Sequence, residues 1–356
     1  MNNIKPIAIY LPQYHPIPEN DAWWGKGFTE WTNVAKAKPL YKGHEQPKLP
    51  AALGFYDLRV PEVREEQAAM AKAHGIYGFC YYHYWFGNGQ ELLERPFNEV
   101  LKSGKPDFPF MLCWANQTWS GIWFGETDKI LMEQQYPGRA DIEKHFYHLL
   151  PAFKDERYIK VDGKPFFVVY DVPDLPDSEE FAQIFNELAV ENGLPGIHLV
   201  GGNIFTDNWD AAGGGFNAKI SNSFNAAITK VESKQVSLVD RALSRAGINK
   251  LKVLDHADVV KEMIFVNNKN NYPIVVPNWD NTPRTGVRGY VFNNSTPELF
   301  AMQLKKASES LNNIRDEEKF IFIKSWNEWA EGNYLEPDTK YGYKFLEEVK
   351  KLVGDN

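Results

Sequence analysis

The hydrophobic positions of this chain fall into short continuous runs, and the stretches between them repeat at helical spacing. Strands of a parallel sheet covered by helices are buried on both faces, so they read as uninterrupted apolar runs instead of strict alternation. Eight such runs occur: Pro6 to Leu11, Ile76 to Tyr82, Phe108 to Trp114, Pro165 to Tyr170, Ile197 to Val200, Ala218 to Ser221, Tyr272 to Val276 and Lys319 to Lys324. Between the first two, Val60 to His74 carries Pro61 near its first turn, Val60, Val63, Met70 and Ala71 on one face, and Gly75 as a stop, which predicts a crossover helix. Similar amphipathic segments cover Glu91 to Leu101, Asp141 to Phe153, Ser178 to Asn192, Ala257 to Val266, Thr296 to Leu311 and Tyr343 to Leu352. Strands and helices alternating in this way predict an α/β protein, a (β/α)8 TIM barrel.

The fifth unit is irregular, because Phe205 to Gly215 is glycine-rich and shows no helical pattern before the next strand. Residues 222–256 read as a long loop inserted after the sixth strand, placed to cover a site at the rim. No short-period repeat, low-complexity stretch or charge block divides residues 1–356, so a single barrel domain with long rim loops is expected.

Composition narrows the class of partner. With 43% hydrophobic residues the chain can fill a large core. No stretch approaches the roughly 18 uninterrupted apolar residues of a membrane span, so a soluble protein without membrane insertion is expected. The opening Met1-Asn-Asn-Ile-Lys-Pro runs straight into the first apolar segment with no signal-type h-region, and a cytoplasmic location is the corresponding expectation. Cys80 and Cys113 both fall inside apolar runs and read as buried free thiols. The balance of 39 basic against 47 acidic side chains, a net charge of −8, opposes binding of a nucleic-acid backbone. An aromatic content of 14%, with 11 Trp and 17 Tyr, points elsewhere. Indole and phenol rings combine a flat apolar face with a polar edge, which suits sugar rings.

In barrels of this kind the reacting groups come from the C-terminal ends of the strands. After the first run stand Gln13, Tyr14 and His15; after the second, Tyr82, His83 and Trp85; after the third, Trp114, Asn116 and Trp119. Asp171 and Asn203 follow the fourth and fifth, Asn278, Trp279, Asp280 and Arg284 the seventh, and Trp326 and Asn327 the eighth. Any one of these fits ordinary packing, but together they put amides, imidazoles, carboxylates and indoles at one rim, the composition of a carbohydrate cleft. His15, His83 and the carboxylates lack a metal-ligand spacing such as His-Glu-x-x-His, so no metal is expected. No Gly-x-Gly-x-x-Gly or Walker-type loop occurs and the rim segments show no basic cluster, so no nucleotide or other cofactor is implied.

Glycosyl transfer needs one group to protonate the departing oxygen and a second to generate or act as the nucleophile. Glu328 and Glu331, three residues apart beyond the last strand, can project to the same side of a tight turn, and Trp326 and Trp329 beside them lower the local polarity. The alternative is a surface turn with two solvated acids.

The segment Trp326-Asn-Glu-Trp-Ala-Glu-Gly-Asn-Tyr-Leu-Glu-Pro, taken with Ile9-Tyr-Leu-Pro-Gln-Tyr-His-Pro, Phe28-Thr-Glu-Trp-Thr-Asn-Val, Tyr82-His-Tyr-Trp-Phe, Trp114-Ala-Asn-Gln-Thr-Trp and Asn278-Trp-Asp-Asn-Thr-Pro-Arg, resembles the WbsX-like family across nearly the whole chain. That family is related to the glycoside hydrolase family 99 endo-α-mannosidases and endo-α-mannanases. The resemblance implies a barrel and two competing activities. WbsX-like proteins are often described as glycosyltransferases of O-antigen and capsule synthesis, whereas the family 99 relatives are retaining hydrolases. In the latter, the first glutamate of Glu-x-x-Glu-Gly deprotonates the substrate's 2-hydroxyl to give a 1,2-anhydro sugar, and the second is acid and then base. Carried over, Glu328 is the base and Glu331 the acid/base. This chain departs from the family 99 pattern at Ala330, where those hydrolases tend to have His. An endo-acting hydrolase of a bacterial surface polysaccharide or oligosaccharide is the leading expectation, a glycosyltransferase the second, and a non-catalytic carbohydrate-binding barrel the third.

Overall fold

Every one of the apolar runs becomes a strand of a closed parallel barrel. The computed structural model describes residues 3–121, 129–202, 209–221, 223–235 and 251–354. Its barrel strands are β1 (Lys5–Tyr10), β2 (Gly78–Trp85), β3 (Phe110–Trp114), β4 (Lys164–Val169), β5 (His198–Gly201), β6 (Ala218–Ser221), β7 (Asn271–Val275) and β8 (Phe320–Ile323). They pair in parallel in chain order. β1 closes the ring by pairing with both β2 and β8, Ile7 standing opposite Gly78 on one side and Phe322 on the other. Closure leaves these strands no free edge.

Outer helices at Pro61–Ala73, Arg95–Ser103, Arg139–Lys154 and Ser178–Glu191 follow the first four strands, and Pro297–Glu309 and Lys344–Val353 follow the last two. Side-chain caps fix several starts: Asp177 accepts from the amide of Glu180, Asp255 from that of Ala257 and Thr296 from that of Leu299. Between β5 and β6 the described residues 209–217 form turns without a helix, in keeping with their glycine content. Among the described residues no helix is long and apolar enough to cross a membrane.

The expected loop over 222–256 is corrected for its described part. Ser223–Gln235 is a helix, and Lys252–Asp255 is a strand paired in parallel with Tyr290–Asn293. Phe224, Ala227, Ile228 and Val231 are buried at the i, i+3, i+4, i+7 positions of that helix, a narrow apolar stripe diluted by intervening polar residues. The helix lies against the one at His256–Glu262 and against β7.

Strand pleating sends alternate side chains inward and outward. Inside the barrel, at the end away from the strand C-termini, Phe166 meets His198, Tyr272, Phe320 and Phe322 with ring centroids 5.0, 5.2, 5.4 and 5.8 Å away. This aromatic plug fills the lower interior, and His198 and Tyr272 satisfy each other across it at 2.9 Å. Its neighbour Phe167 points the other way, stacking on Phe185 of the Ser178–Glu191 helix. Replacing Phe166 by Ala is therefore expected to cost about 3–5 kcal/mol of stability in chemical denaturation. A loss below about 1 kcal/mol would mean the rings repack and that the plug does not hold the barrel together.

Candidate active site

The same pleat decides what faces the open end. Tyr82 and Tyr84 of β2, Ala115 just past β3, Tyr170 past β4, Lys324 past β8 and Leu11 past β1 all point inward and line one cavity of about 220 Å³. Glu328 and Glu331 line it too. Asn327–Glu328 pairs antiparallel with Asn333–Tyr334, and the single 3-10 turn Trp329–Glu331 between them turns both carboxylates toward the same space. Gly332 makes this turn possible. It adopts φ +68°, and a Cβ there would lie 2.8 Å from the Asp280 amide nitrogen. That close approach lets the Asp280 N–H donate to the Glu331 carbonyl at 2.7 Å, which ties the loops after β7 and β8 together.

Both glutamates are buried, at 4% and 8% exposure, so their charges need partners. Arg284 donates through one Nη to Glu331 and through Nε and the other Nη to Glu30, a carboxylate 1% exposed. Lys324 Nζ sits 3.6 Å from Glu328 and 3.8 Å from Glu331, and 5.1 Å from the centre of the Trp279 ring. The near oxygens of the two glutamates are thus no farther apart than the sum of those two lysine distances. Burial pushes the Glu328 carboxyl up to about 7, with Lys324 opposing and Glu331 adding to the rise. On Glu331 burial acts in the same direction, but Arg284 and Lys324 outweigh it and hold that carboxyl below its ordinary value. Burial also raises Glu30, against the pull of Arg284. Three carboxylates and two cations therefore share the floor of the cavity, and of the two glutamates burial favours the neutral form of Glu328.

Of the residues expected at the rim, Gln13, Tyr82, Trp119 and Arg284 join the glutamate pair in the cavity. Several others act from behind it. Asp171 accepts from Gln117 at 2.8 Å and so orients a side chain that lines the cavity, while Asn116 exchanges two hydrogen bonds with the Asp171 backbone. Asn327 clamps both backbone groups of Leu11 at 2.8 and 3.0 Å, and Tyr14 donates to the Asn327 carbonyl. Asp280 accepts from His44, Gln46 and Thr282, and Asn278 accepts from Ser295. Trp326 is core, its ring 5.1 Å from Phe79, and His15 is buried against the Pro12 carbonyl.

His83, Trp85 and Trp114, also expected at the substrate site, do not line this cavity. They occupy outward positions of β2 and β3, packed around His145 of the Arg139–Lys154 helix, with ring centroids 5.1, 4.8 and 4.8 Å from it. His83 pairs with Glu91 at 3.1 Å, and Trp85 donates to Asp141 at 3.1 Å. Asn203 lies outside the described residues. The expectation of no basic cluster on the rim segments is corrected as well, since Lys324 and Arg284 converge there. Tyr84, Tyr170 and Lys324 were within reach of sequence reading, because each sits an even number of residues from an inward strand position. Glu30 was not. It meets Arg284 across 254 positions of chain. Among the described residues no group of three or more His, Cys, Asp or Glu is placed to hold a metal ion.

A family model described as Glycosyltransferase WbsX matches residues 6–349. A protein of Xanthomonas campestris pv. campestris, described as uncharacterized protein WxcX, is 36% identical over 350 residues, covering 98% of this chain and 49% of its own length. The chain thus spans about half the length of the curated relatives it matches. Among solved structures, a glycoside hydrolase-like protein superposes with a TM-score of 0.62 at 13% identity, covering 100% of this chain and 95% of that one. The glycoside hydrolase family 99 endo-α-mannosidase of Bacteroides thetaiotaomicron follows at 0.59 and 16% identity, with 98% and 96% covered. These superpositions establish a shared TIM-barrel fold. With the family model running from the first barrel strand to the last helix, the chain belongs to the WbsX family.

Proposed function

We propose that the chain is a retaining, endo-acting glycoside hydrolase of a bacterial surface polysaccharide or oligosaccharide, with Glu328 as base and Glu331 as acid/base. The observation that carries this reading is the pair of buried carboxyls facing one cavity with Lys324 beside both, Glu328 raised by burial and Glu331 lowered by Arg284 and Lys324. Neighbouring acids whose environments separate their affinities for protons are the mark of paired acid and base roles. A carboxylate near 7 is a far stronger base than an ordinary one, which suits removal of a proton from a sugar hydroxyl. The 2-hydroxyl so activated attacks its own anomeric carbon, and the resulting 1,2-anhydro sugar needs no enzymic nucleophile. Lys324, beside both carboxylates, stabilises the ionised form of Glu328 that performs the step.

At rest the raised Glu328 is the favoured site of the shared proton, while departure of the leaving group requires it on Glu331. The two arrangements carry the same total charge and differ only in which carboxyl is protonated. The Arg284 contact on Glu331 holds the resting arrangement in place. A substrate oxygen entering beside Glu331 and weakening that contact shifts the proton toward the productive form.

The family description favours a second reading, transfer from an activated sugar. A diphosphate donor needs free cations or a backbone cradle. Both cations of this cavity already lie between glutamates, so a diphosphate would face three carboxylates, and hydrolysis is preferred. Incubation with the polysaccharide of the source bacterium, with products read by mass spectrometry, separates the readings. Hydrolysis yields shorter fragments without any nucleotide sugar, and turnover only in the presence of a nucleotide sugar would establish transfer instead.

Glu331→Gln keeps shape and removes the transferable proton, so turnover is expected to fall on the order of 10²–10⁴-fold with saccharide affinity retained. A near-normal rate on a substrate with a poor leaving group would remove Glu331 from the acid role. Catalysis also requires one proton on the pair. As pH rises through about 7 that proton is lost and kcat/KM should fall, and the acid limb should lie below the usual carboxylate range, where Glu331 takes up a second proton. A profile that stays flat up to pH 9 would exclude Glu328 as the titrating group. A 2-deoxy analogue should bind and remain uncleaved, because its internal nucleophile is missing, whereas a covalent adduct on Glu328 from a 2-fluoro sugar would replace the 1,2-anhydro route with direct attack.

A further inference from the structure

We infer that Glu30 is a positioning residue for the acid step: it takes one whole edge of the Arg284 guanidinium and so keeps that cation from locking Glu331 in its ionised form. The inference rests on the hydrolase reading above and deepens it, because it names what lets a carboxylate paired with arginine take up a proton.

Glu331 faces a conflict of roles. As acid/base it must carry a proton for part of the cycle, yet Arg284 donates to it and Lys324 lies 3.8 Å away. An opposite charge at such range lowers a carboxyl by about one to three pH units. If the whole fork of Arg284 served Glu331, only the ionised form would be stabilised. The fork is divided instead. Nε and one Nη, the two donors of one edge, both go to Oε1 of Glu30, Nε at 3.1 Å, and the other Nη goes to Glu331. The Glu30 side chain is 1% exposed and that of Arg284 16%, so water screens this division little.

The fold fixes Glu30 relative to the turn that bears the acids. Its amide donates to the Gln13 carbonyl at 3.0 Å, and the Thr32 hydroxyl accepts from the Thr29 amide at 3.2 Å, which together hold the start of the helix Glu30–Lys36. The next residue, Trp31, donates to the Tyr56 carbonyl at 2.8 Å and packs its ring 4.7 Å from Tyr14 and 5.6 Å from Trp329, which stands between the two glutamates in sequence. One indole thus anchors the helix and touches the turn. A buried ion pair gains little stability over apolar residues of the same volume, so stability alone is a weak reason to keep a third carboxylate here.

The other groups facing the pair do not take over this role. Lys324 adds positive charge beside both glutamates, and Asn333 donates to Glu331 at 3.3 Å. Tyr14, Tyr82, Tyr84 and Tyr170 approach from the ends of β1, β2 and β4; burial raises all four phenols, Tyr170 to about 12, so they stay neutral while the carboxyls titrate. Glu30 repels Glu331 and adds to the rise of Glu328. Removing its charge therefore lowers both glutamates, because each loses a like charge and Arg284 turns wholly to Glu331.

The test reads the pair without substrate and then in turnover. With glutamate labelled by ¹³C at the carboxyl, the Glu328 signal, identified by its loss in Glu328→Gln, should titrate at about 7 in the wild type. In Glu30→Gln, which keeps the shape and an accepting oxygen for Arg284, the midpoint should fall by about one pH unit. On the polysaccharide of the source bacterium, the alkaline limb of kcat/KM should move down equally, and kcat should fall about tenfold with little change in KM, since one pH unit is a tenfold loss of the protonated acid. Glu30→Asp keeps the charge but draws it back by one methylene, so its midpoint should move less than half as far. A slower Glu30→Gln whose midpoint and limb stay at wild-type values would make Glu30 mere structural support and overturn the inference, as would equal movement in both variants. Should Glu30→Gln fail to fold, Glu30→Asp decides alone, and an unmoved midpoint overturns the inference. If the wild type cleaves nothing, the hydrolase reading falls, while the titration still decides whether Glu30 sets the proton affinity of the pair.

Discussion

Two carboxylates enclosed at the end of a barrel cannot both be charged unless cations are enclosed with them, and this constraint organises the open end of the molecule. Arg284 and Lys324 meet it, and each needs a fixed position to do so. Arg284 is held by Glu30, and Lys324 is fixed by the last turn of β8 and by the Trp279 ring. The result is a cluster in which no charge can be removed alone. Taking away one cation would raise both glutamates, and taking away Glu30 would leave Arg284 to bind Glu331 more firmly.

A second shell of polar groups holds the pair in register. Glu336, eight residues beyond Glu328 and five beyond Glu331, accepts from Trp329 and Gln67 at 2.7 Å and from Tyr56 at 2.9 Å. Burial pushes Glu336 up to about 7 even so. Through Trp329 it fixes the turn that carries Glu328 and Glu331, and through Gln67 it ties that turn to the first outer helix. Asn327 does the same for β1 by clamping Leu11. On the outer side of β2, Glu91 lies between His83 and His148 and is held down to about 2 by hydrogen bonds to those imidazoles, against its burial. That network anchors the strand whose inward residues, Tyr82 and Tyr84, wall the cavity. Groups outside the cavity thus decide where the two glutamates stand.

The sequence by itself determined the barrel, because burial on both faces leaves an apolar run that survives in one dimension, and all eight runs became strands within a few residues of their expected bounds. It also made the glutamate pair legible, because Glu328 and Glu331 are close in the chain and follow the last strand. Tertiary structure decided which rim residues enter the cavity. His83 and Tyr84 are adjacent in sequence and equally suited to sugar, but the pleat sends one outward to His145 and the other inward. The helix at Ser223–Gln235 formed because its thin apolar stripe found neighbours, which periodicity alone does not record. The Glu30–Arg284 pair and the opposite shifts of Glu328 and Glu331 belong to the fold entirely. Their roles arise from charges brought together across long stretches of chain in a space too small to hydrate them, and no local pattern encodes such a meeting.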